Sequence, residues 1–344
     1  MVCVHEWTRS KSGKVSVLDI ENLKVTIGRN TVAEVESMTV AKGQRIGFVG
    51  ESGSGKSMIA LSILGLQPKA AIVDGSIRFN GVELLGLSGQ KMADIRGRLI
   101  GLVPQDPTKS LNPTMRIGKQ ISEAISLHSD AGKPEIDLRV REVLDNVQLP
   151  DSNRIVKSYP HQLSGGQQQR VLIAMAIACK PMLLIADEPT TALDMTVQGD
   201  ILRLLLNLSI ELGMGLLFVS HDLGVVRYVC EDVAVIYGGQ VVEFGPIGDV
   251  IAQPAHRYSE ALISANIALP QDEEDIARHI RDLKTIKGSV PSMGEFPEGC
   301  RFSNRCNFQV PACASRIEMT PVSERHLFRC CNPIEYEKQA DANN

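Results

Sequence analysis

No apolar run in this chain of 344 residues approaches the ~20 residues that a membrane-spanning helix needs. The longest candidate, Val171 to Cys179, is cut by Lys180 and Pro181. Nor is there an excess of positive charge: 36 Lys and Arg stand against 40 Asp and Glu, for a net charge of −4. A protein that rides on a phosphate backbone needs a basic balance, so nucleic acid is not an expected partner. The stretch Met1 to Lys14 lacks an apolar core of signal-peptide length, and an unexported chain is expected. Internal repeats and low-complexity tracts are also missing. What is there is ordinary for a globular protein, 43% hydrophobic and 22% charged residues. The length suggests about two domains at ~150 residues each.

Strand-like and helix-like segments alternate up to about residue 245, which predicts an α/β architecture. Arg45 to Val49, Met182 to Ala186 and Gly215 to Val219 read as short buried strands. An apolar helix is expected from Met58 to Leu66, and Val197, Ile201, Leu204, Leu205 and Leu208 recur at helical spacing. Val233 to Tyr237 and Val241 to Phe244 flank Gly238-Gly239 as a hairpin. Residues 16–44 and 76–84 alternate like exposed antiparallel strands, and 106–165 reads as mostly helical. A charged link, Gln271 to Asp275, precedes a tail rich in Pro, Gly and Cys. Such a tail buries little apolar surface and depends on cross-links, a metal or docking on the main domain. Of the eight cysteines, Cys3, Cys179 and Cys230 are scattered, whereas Cys300, Cys306, Cys313, Cys330 and Cys331 crowd near the C-terminus. In an intracellular enzyme such a cluster suggests a metal site more than a disulfide framework.

Gly50-Glu51-Ser52-Gly53-Ser54-Gly55-Lys56-Ser57 fits the phosphate-loop pattern G-x-x-x-x-G-K-S/T at every fixed position, after a strand and before a helix. Glycines let the backbone wrap phosphates, and amide N–H groups point inward at the helix's positive end. Lys56 is expected to reach the β/γ-phosphates and the Ser57 hydroxyl to ligate Mg²⁺. The apolar strand Leu183 to Ala186 ends in two carboxylates. Asp187 fits the Mg²⁺-linked acid of P-loop NTPases, which leaves Glu188 to act as general base on the attacking water. A second Gly-rich helix start, Leu163-Ser164-Gly165-Gly166-Gln167, offers a cap in Ser164 and accessible N–H groups for another phosphate.

Residues 163–167 are identical to the signature motif of ATP-binding cassette proteins, and the other motifs fall in that family's order. Gln105 resembles the Q-loop glutamine, which touches Mg²⁺ and water and signals to the membrane subunit. Ala192-Leu193-Asp194 resembles the D-loop, and His221, after the strand 215–219, resembles the switch histidine that contacts the γ-phosphate. The resemblance implies a P-loop NTPase core with an antiparallel β subdomain and a helical signature subdomain over 16–250, followed by a Cys-containing extension over 251–344. It also implies that a nucleotide on Gly50–Ser57 meets the signature of a second ATP-binding subunit, with Asp194 alongside. The family's usual adenine-stacking aromatic is missing: no Tyr, Phe or Trp lies between Trp7 and Phe48, and Ile27 holds the matching position.

Pro104-Gln105-Asp106-Pro107, Ser110-Leu111-Asn112-Pro113 and Ser158-Tyr159-Pro160-His161-Gln162 resemble the dipeptide/oligopeptide importer branch. So does His256-Arg257-Tyr258-Ser259, with Arg257 and Ser259 in place of the branch's Pro and Thr. The run Gly299 to Cys306, then Cys313, His326 and Cys330, resembles that branch's C-terminal extension. The partners implied are two transmembrane permease subunits, a second ATP-binding subunit and an extracytoplasmic solute-binding protein, at the cytoplasmic face of the cell membrane. Peptides are the implied cargo, with nickel chelates or oligosaccharides carried by relatives; a soluble cassette ATPase is the competing class. Four thiolates can enclose Zn²⁺ or a four-iron cluster. The Cys300, Cys306, Cys313, Cys330 spacing lacks the C-x₂-C pairs of common zinc folds. Some members of the resembled branch carry a 4Fe-4S cluster on such a tail, so that cluster is the expectation, with metal-free cysteines as its alternative.

Overall fold

The computed structural model describes residues 15–191, 193–266, 286–292 and 294–334. The chain opens with β1 (Ser16–Ile27), β2 (Asn30–Ala41) and β3 (Arg45–Val49), then α1 (Lys56–Ile63), β4 (Ala71–Phe79), β5 (Val82–Glu83), α2 (Gly89–Ile95) and β6 (Ile100–Val103). A helical stretch follows: α3 (Pro107–Ser110), α4 (Ile117–Ser126), α5 (Lys133–Asn146), α6 (Ser152–Lys157) and α7 (Gly165–Ile177). Then come β7 (Leu183–Asp187), α8 (Met195–Leu212), β8 (Gly215–Ser220), α9 (Leu223–Val229), β9 (Asp232–Tyr237), β10 (Gln240–Pro246), α10 (Ile247–Ala252) and α11 (Arg257–Asn266). Two short strands, β11 (Thr320–Pro321) and β12 (Leu327–Phe328), lie in the tail.

One sheet runs in the order β5-β4-β1-β2-β10-β9-β3-β8-β7-β6. Its β9-β3-β8-β7-β6 half is parallel. The β5-β4-β1-β2 wing is antiparallel. Alternate residues of the central strands serve opposite faces. Val49, Leu216 and Phe218 join a core with α4, α5, α7 and α8, whereas Phe48, Leu217 and Val219 join one with β1, β2 and α1. Burial on both faces is why these strands read as continuous apolar runs rather than alternating ones. The apolar helix expected from Met58 occupies Lys56–Ile63, starting inside the glycine loop and ending before Gly65 at φ +59°.

The tail docks on this sheet. β12 pairs antiparallel with β10, Phe328 opposite Glu243, as a branch off the main strand order. Phe302 is buried among Tyr237 and Tyr258, with ring centroids 5.2 and 5.3 Å away. Docking is thus one of the supports the composition called for. Cys3, Trp7 and the charged link 271–275 lie outside the described residues.

The seam is polar at its centre. Glu243, fully buried, accepts the N–H groups of Ala255 (2.8 Å) and His256 (2.9 Å) and stands 2.6 Å from His326 Nε2. His256 Nδ1 accepts the Tyr258 N–H at 2.9 Å, which holds the imidazole neutral with its proton on Nε2. Burial pushes His256 down to about 4, outweighing the upward pull of Glu243, with Arg329 adding to the fall. A depressed histidine pKa contributes stability that is present above the unfolded value of ~6.5 and lost as pH falls toward the folded one. That loss is on the order of 3 kcal/mol. Thermal melts should therefore fall by several degrees between pH 7 and 4.5. His256→Asn, whose Oδ1 can still accept the Tyr258 N–H, should flatten that dependence; an unchanged slope in this variant would exclude His256 as its source.

Candidate active site

The parallel strands end together, and ligands of open α/β sheets bind beyond such carboxyl ends. The Gly50–Gly55 loop leaves β3 there and turns into α1. Gly55 takes φ +94° at the helix start, and a Cβ there would come within 2.7 Å of the Val32 carbonyl, so only glycine closes this turn. No side chain caps α1, which leaves its first N–H groups to a ligand. Lys56 is buried, and its Nζ donates to the carbonyls of Gly50 (2.8 Å) and Glu51 (2.9 Å) and approaches Ser54 Oγ at 3.3 Å. Burial lowers its pKa, opposed by the charges of Glu188, Asp187 and Glu51.

Ser57 Oγ donates to Asp187 Oδ1 at 2.9 Å, joining the two expected Mg²⁺ ligands across the sheet. Burial raises the Asp187 carboxyl; Ser57's hydrogen bond lowers it, Glu188 adds to the rise and Lys56 opposes it. A hydroxyl and a carboxylate side by side are hard oxygen donors suited to Mg²⁺. Glu188 follows in a left-handed conformation, φ +45°, with its N–H bonded to Val219 O at 2.9 Å. Its Oε2 accepts Gln105 Nε2 and Thr191 Oγ1, each at 3.0 Å. On its other side Oε1 lies 3.5 Å from His221 Nδ1. The Glu188 carboxylate is thus held by groups from three separate loops. Gln105 touches Glu188 rather than the Ser57–Asp187 pair. Thr191 was missed in the sequence, although its place three residues after Glu188 in the turn leading to α8 was a usable signal.

The second glycine element stands apart. Ser164 Oγ accepts the Gln167 N–H at 3.3 Å and the Gln167 side chain accepts the Ser164 N–H at 3.1 Å, a capping box at the start of α7. Ser164 and Gly165 are exposed. A Cβ on Gly166 would meet Val197 at 2.5 Å, so α7 and α8 start side by side. Asp194 caps α8 by accepting the Val197 N–H at 2.9 Å. Among the described residues, no hydrogen bond or ion pair joins Ser164–Gln167 or Asp194 to the phosphate loop of the same chain. Ala192 lies outside the described residues. Ile27, at the end of β1, is half-buried against the apolar core.

Cys300, Cys306, Cys313, Cys330 and Cys331 line one pocket of about 10 Å³ together with His256. Burial pushes the Cys300 thiol up to about 11, reinforced by Cys330, Cys313 and Cys306. Cys313 and Cys331 sulfurs are 3.2 Å apart. Among the described residues, no three Cys, His, Asp or Glu side chains stand grouped to hold a metal ion. The thiols line one pocket, and its free space admits one water-sized atom.

A family profile described as ABC transporter matches residues 34–191, and one described as oligopeptide/dipeptide transporter, C-terminal region, matches 242–313. A Brucella abortus protein named as a peptide import ATP-binding protein is 43% identical over 91% of this chain and 94% of its own length. The oligopeptide transport ATP-binding protein OppD of Salmonella typhimurium is 39% identical over 93% and 94%. Among solved structures, cbiO1 of Clostridium perfringens, part of the ABC transporter complex cbiONQ, matches 69% of this chain and 91% of its own with TM-score 0.61 and 27% identity. A dimeric ATP-binding cassette in a post-hydrolysis state, bound to ADP and Pi, matches 67% of this chain and 98% of its own with TM-score 0.59 and 27% identity. With its phosphate loop, acidic strand end and signature helix set out on this fold, the chain belongs to the ATP-binding cassette transporter family, in the branch that carries the oligopeptide/dipeptide transporter C-terminal region.

Proposed function

We propose that this chain is the ATP-hydrolysing subunit of a membrane importer for peptides, with residues 16–250 as the cassette and 251–344 as the extension. The observation that carries it is the convergence on Glu188 of Gln105, Thr191 and His221 beside the Ser57–Asp187 pair. The nucleotide lies on Gly50–Ser57, with Lys56 on its terminal phosphates. Ser57 and Asp187 would hold Mg²⁺, with Gln105 as its further ligand. Bound there, the metal would neutralise charge on the transferred phosphoryl group. Glu188 takes the proton of the attacking water and His221 steadies the γ-phosphate. Ser164–Gln167 and Asp194 serve the nucleotide of a second ATP-binding subunit.

Peptide cargo is supported by the near full-length likeness to OppD and by the matching C-terminal region. Among the described residues, no helix is long and apolar enough to cross a membrane. By its likeness to importer ATP-binding proteins, the chain attaches peripherally, at the cytoplasmic face, to two permease subunits fed by an extracytoplasmic solute-binding protein. Purification from membranes should bring down hydrophobic subunits, and vesicles rebuilt with them should take up peptides only with ATP. Uptake of sugars or nickel chelates in place of peptides would overturn the cargo; a chain free of membrane partners would overturn the importer.

The thiols of Cys300, Cys306, Cys313 and Cys330 are the donor set for a 4Fe-4S cluster that holds the tail, in a pocket that must widen to take it. Cluster sulfur and thiolate chemistry suit this four-cysteine set. Anaerobic protein should be brown and contain iron and sulfide, and Cys306→Ser should bleach it and loosen the tail to protease. Colourless protein without either element would remove the cluster.

A further inference from the structure

We infer that the C-terminal extension positions the phosphate-binding loop, with Arg305 and Tyr258 as positioning residues that act through Glu51; this rests on the nucleotide lying at Gly50–Ser57. Arg305 Nη1 donates to Glu51 Oε2 at 2.7 Å and Nη2 donates to Oε1 at 3.1 Å, a two-pronged pair between residues far apart in the chain. The rest of the guanidinium is spent on fixed partners: the carbonyls of Lys287 (2.8 Å) and Gly288 (3.1 Å) and the Tyr237 hydroxyl (3.3 Å). The Arg305 side chain is 5% exposed, so it cannot swing away from Glu51 without unpacking the tail. The Glu51 N–H is held as well, donating to Tyr258 Oη at 2.8 Å. Tyr258 is itself buried against Tyr237, ring centroids 4.6 Å apart.

The far end of the loop is braced by the same turn of tail. Arg301 donates to the Gly238 carbonyl and pairs with Glu34 at 3.5 Å. The next residue, Gly239, donates its N–H to Ser54 O at 2.7 Å. The segment 301–305 therefore carries two arginines, one on Glu51 and one on the hairpin that holds Ser54.

The physical need is specific. Lys56 now bonds the Gly50 and Glu51 carbonyls, and it must leave them when it turns to phosphate. Without the lysine, the loop keeps its shape only if something else holds Glu51, and a loop already held in its binding shape loses less entropy on binding. Arg305 also cancels a carboxylate that would otherwise repel the triphosphate. Both effects act on ATP affinity more than on the chemical step.

The test uses the assembled transporter. Arg305→Ala should raise the KM and Kd for MgATP about tenfold, the scale of a lost charged hydrogen bond, with kcat little changed. Arg305→Lys should recover part of that loss. Adding Glu51→Gln to Arg305→Ala should also recover part of it, because the unpaired negative charge is gone. A tail that is merely stapled predicts the opposite, with no recovery in the double variant. Lys56→Ala serves as the control on the site itself. Should it bind MgATP like the wild type, the nucleotide does not lie on this loop and the inference falls with it. Should Lys56→Ala lose binding while Arg305→Ala keeps wild-type affinity, even with its tail opened to protease, the site stands and the bracing role is wrong.

Discussion

Glu188→Gln should bind ATP yet turn over ~10²–10⁴-fold more slowly than the wild type, the usual cost of losing a positioned general base. The amide has the shape of the carboxylate and keeps contacts with Gln105, Thr191 and His221, which approach Glu188 at 3.0, 3.0 and 3.5 Å. What it loses is the capacity to take a proton from water. The same change removes a negative charge beside Lys56 and Asp187, a charge that pulls the pKa of both groups upward. Ground-state binding of a polyanion should therefore hold or tighten while the chemical step fails. Equilibrium ATP binding and single-turnover hydrolysis, measured with an inactive second subunit, separate the two. Wild-type turnover under those conditions would assign the base elsewhere.

Ser164→Arg should leave ATP binding to the chain's own loop intact yet lower turnover of the assembled pair by ~10² or more, the scale seen when a preorganised phosphate or oxyanion contact is lost. The reason is positional. Ser164 and Gly165 are exposed at the start of α7. Among the described residues they make no bonded contact with Gly50–Ser57; the capping box takes the Ser164 and Gln167 N–H groups, and those of Gly165 and Gly166 are the ones offered to a phosphate. One nucleotide needs one such element, and by the family resemblance the second would complete the nucleotide site of a paired subunit. A bulky cation at position 164 fills that place and also removes a helix cap worth ~1 kcal/mol, which is too small a loss to unfold the chain. Sedimentation should show ATP pairing the wild-type subunit and not the variant. If the wild-type chain alone, demonstrably monomeric, hydrolysed ATP at the full transporter rate, the shared site would be excluded.

The phosphate loop, the acids closing β7 and the capped start of α7 were all legible in the sequence. Each is a local device, in which a few neighbouring residues set a turn, a strand end or a cap. The same is true of the hairpin at Gly238-Gly239 and of the central strands, whose unbroken apolar runs follow from burial on both faces. Family resemblance supplied Gln105 and His221, which spacing alone could not single out. Only the tertiary structure decided what these residues do to one another. Gln105 reaches Glu188 and Ser57 reaches Asp187 because β3, β8, β7 and β6 lie in register, and that register is a property of the whole sheet. It decided too that the cysteine tail docks through β12 and Phe302 rather than standing alone. It brought Arg305 onto Glu51, a pairing with no trace in either local segment. Contacts of that kind come from chain closure over long loops, paid for by burial of the intervening core. Local propensity does not encode them.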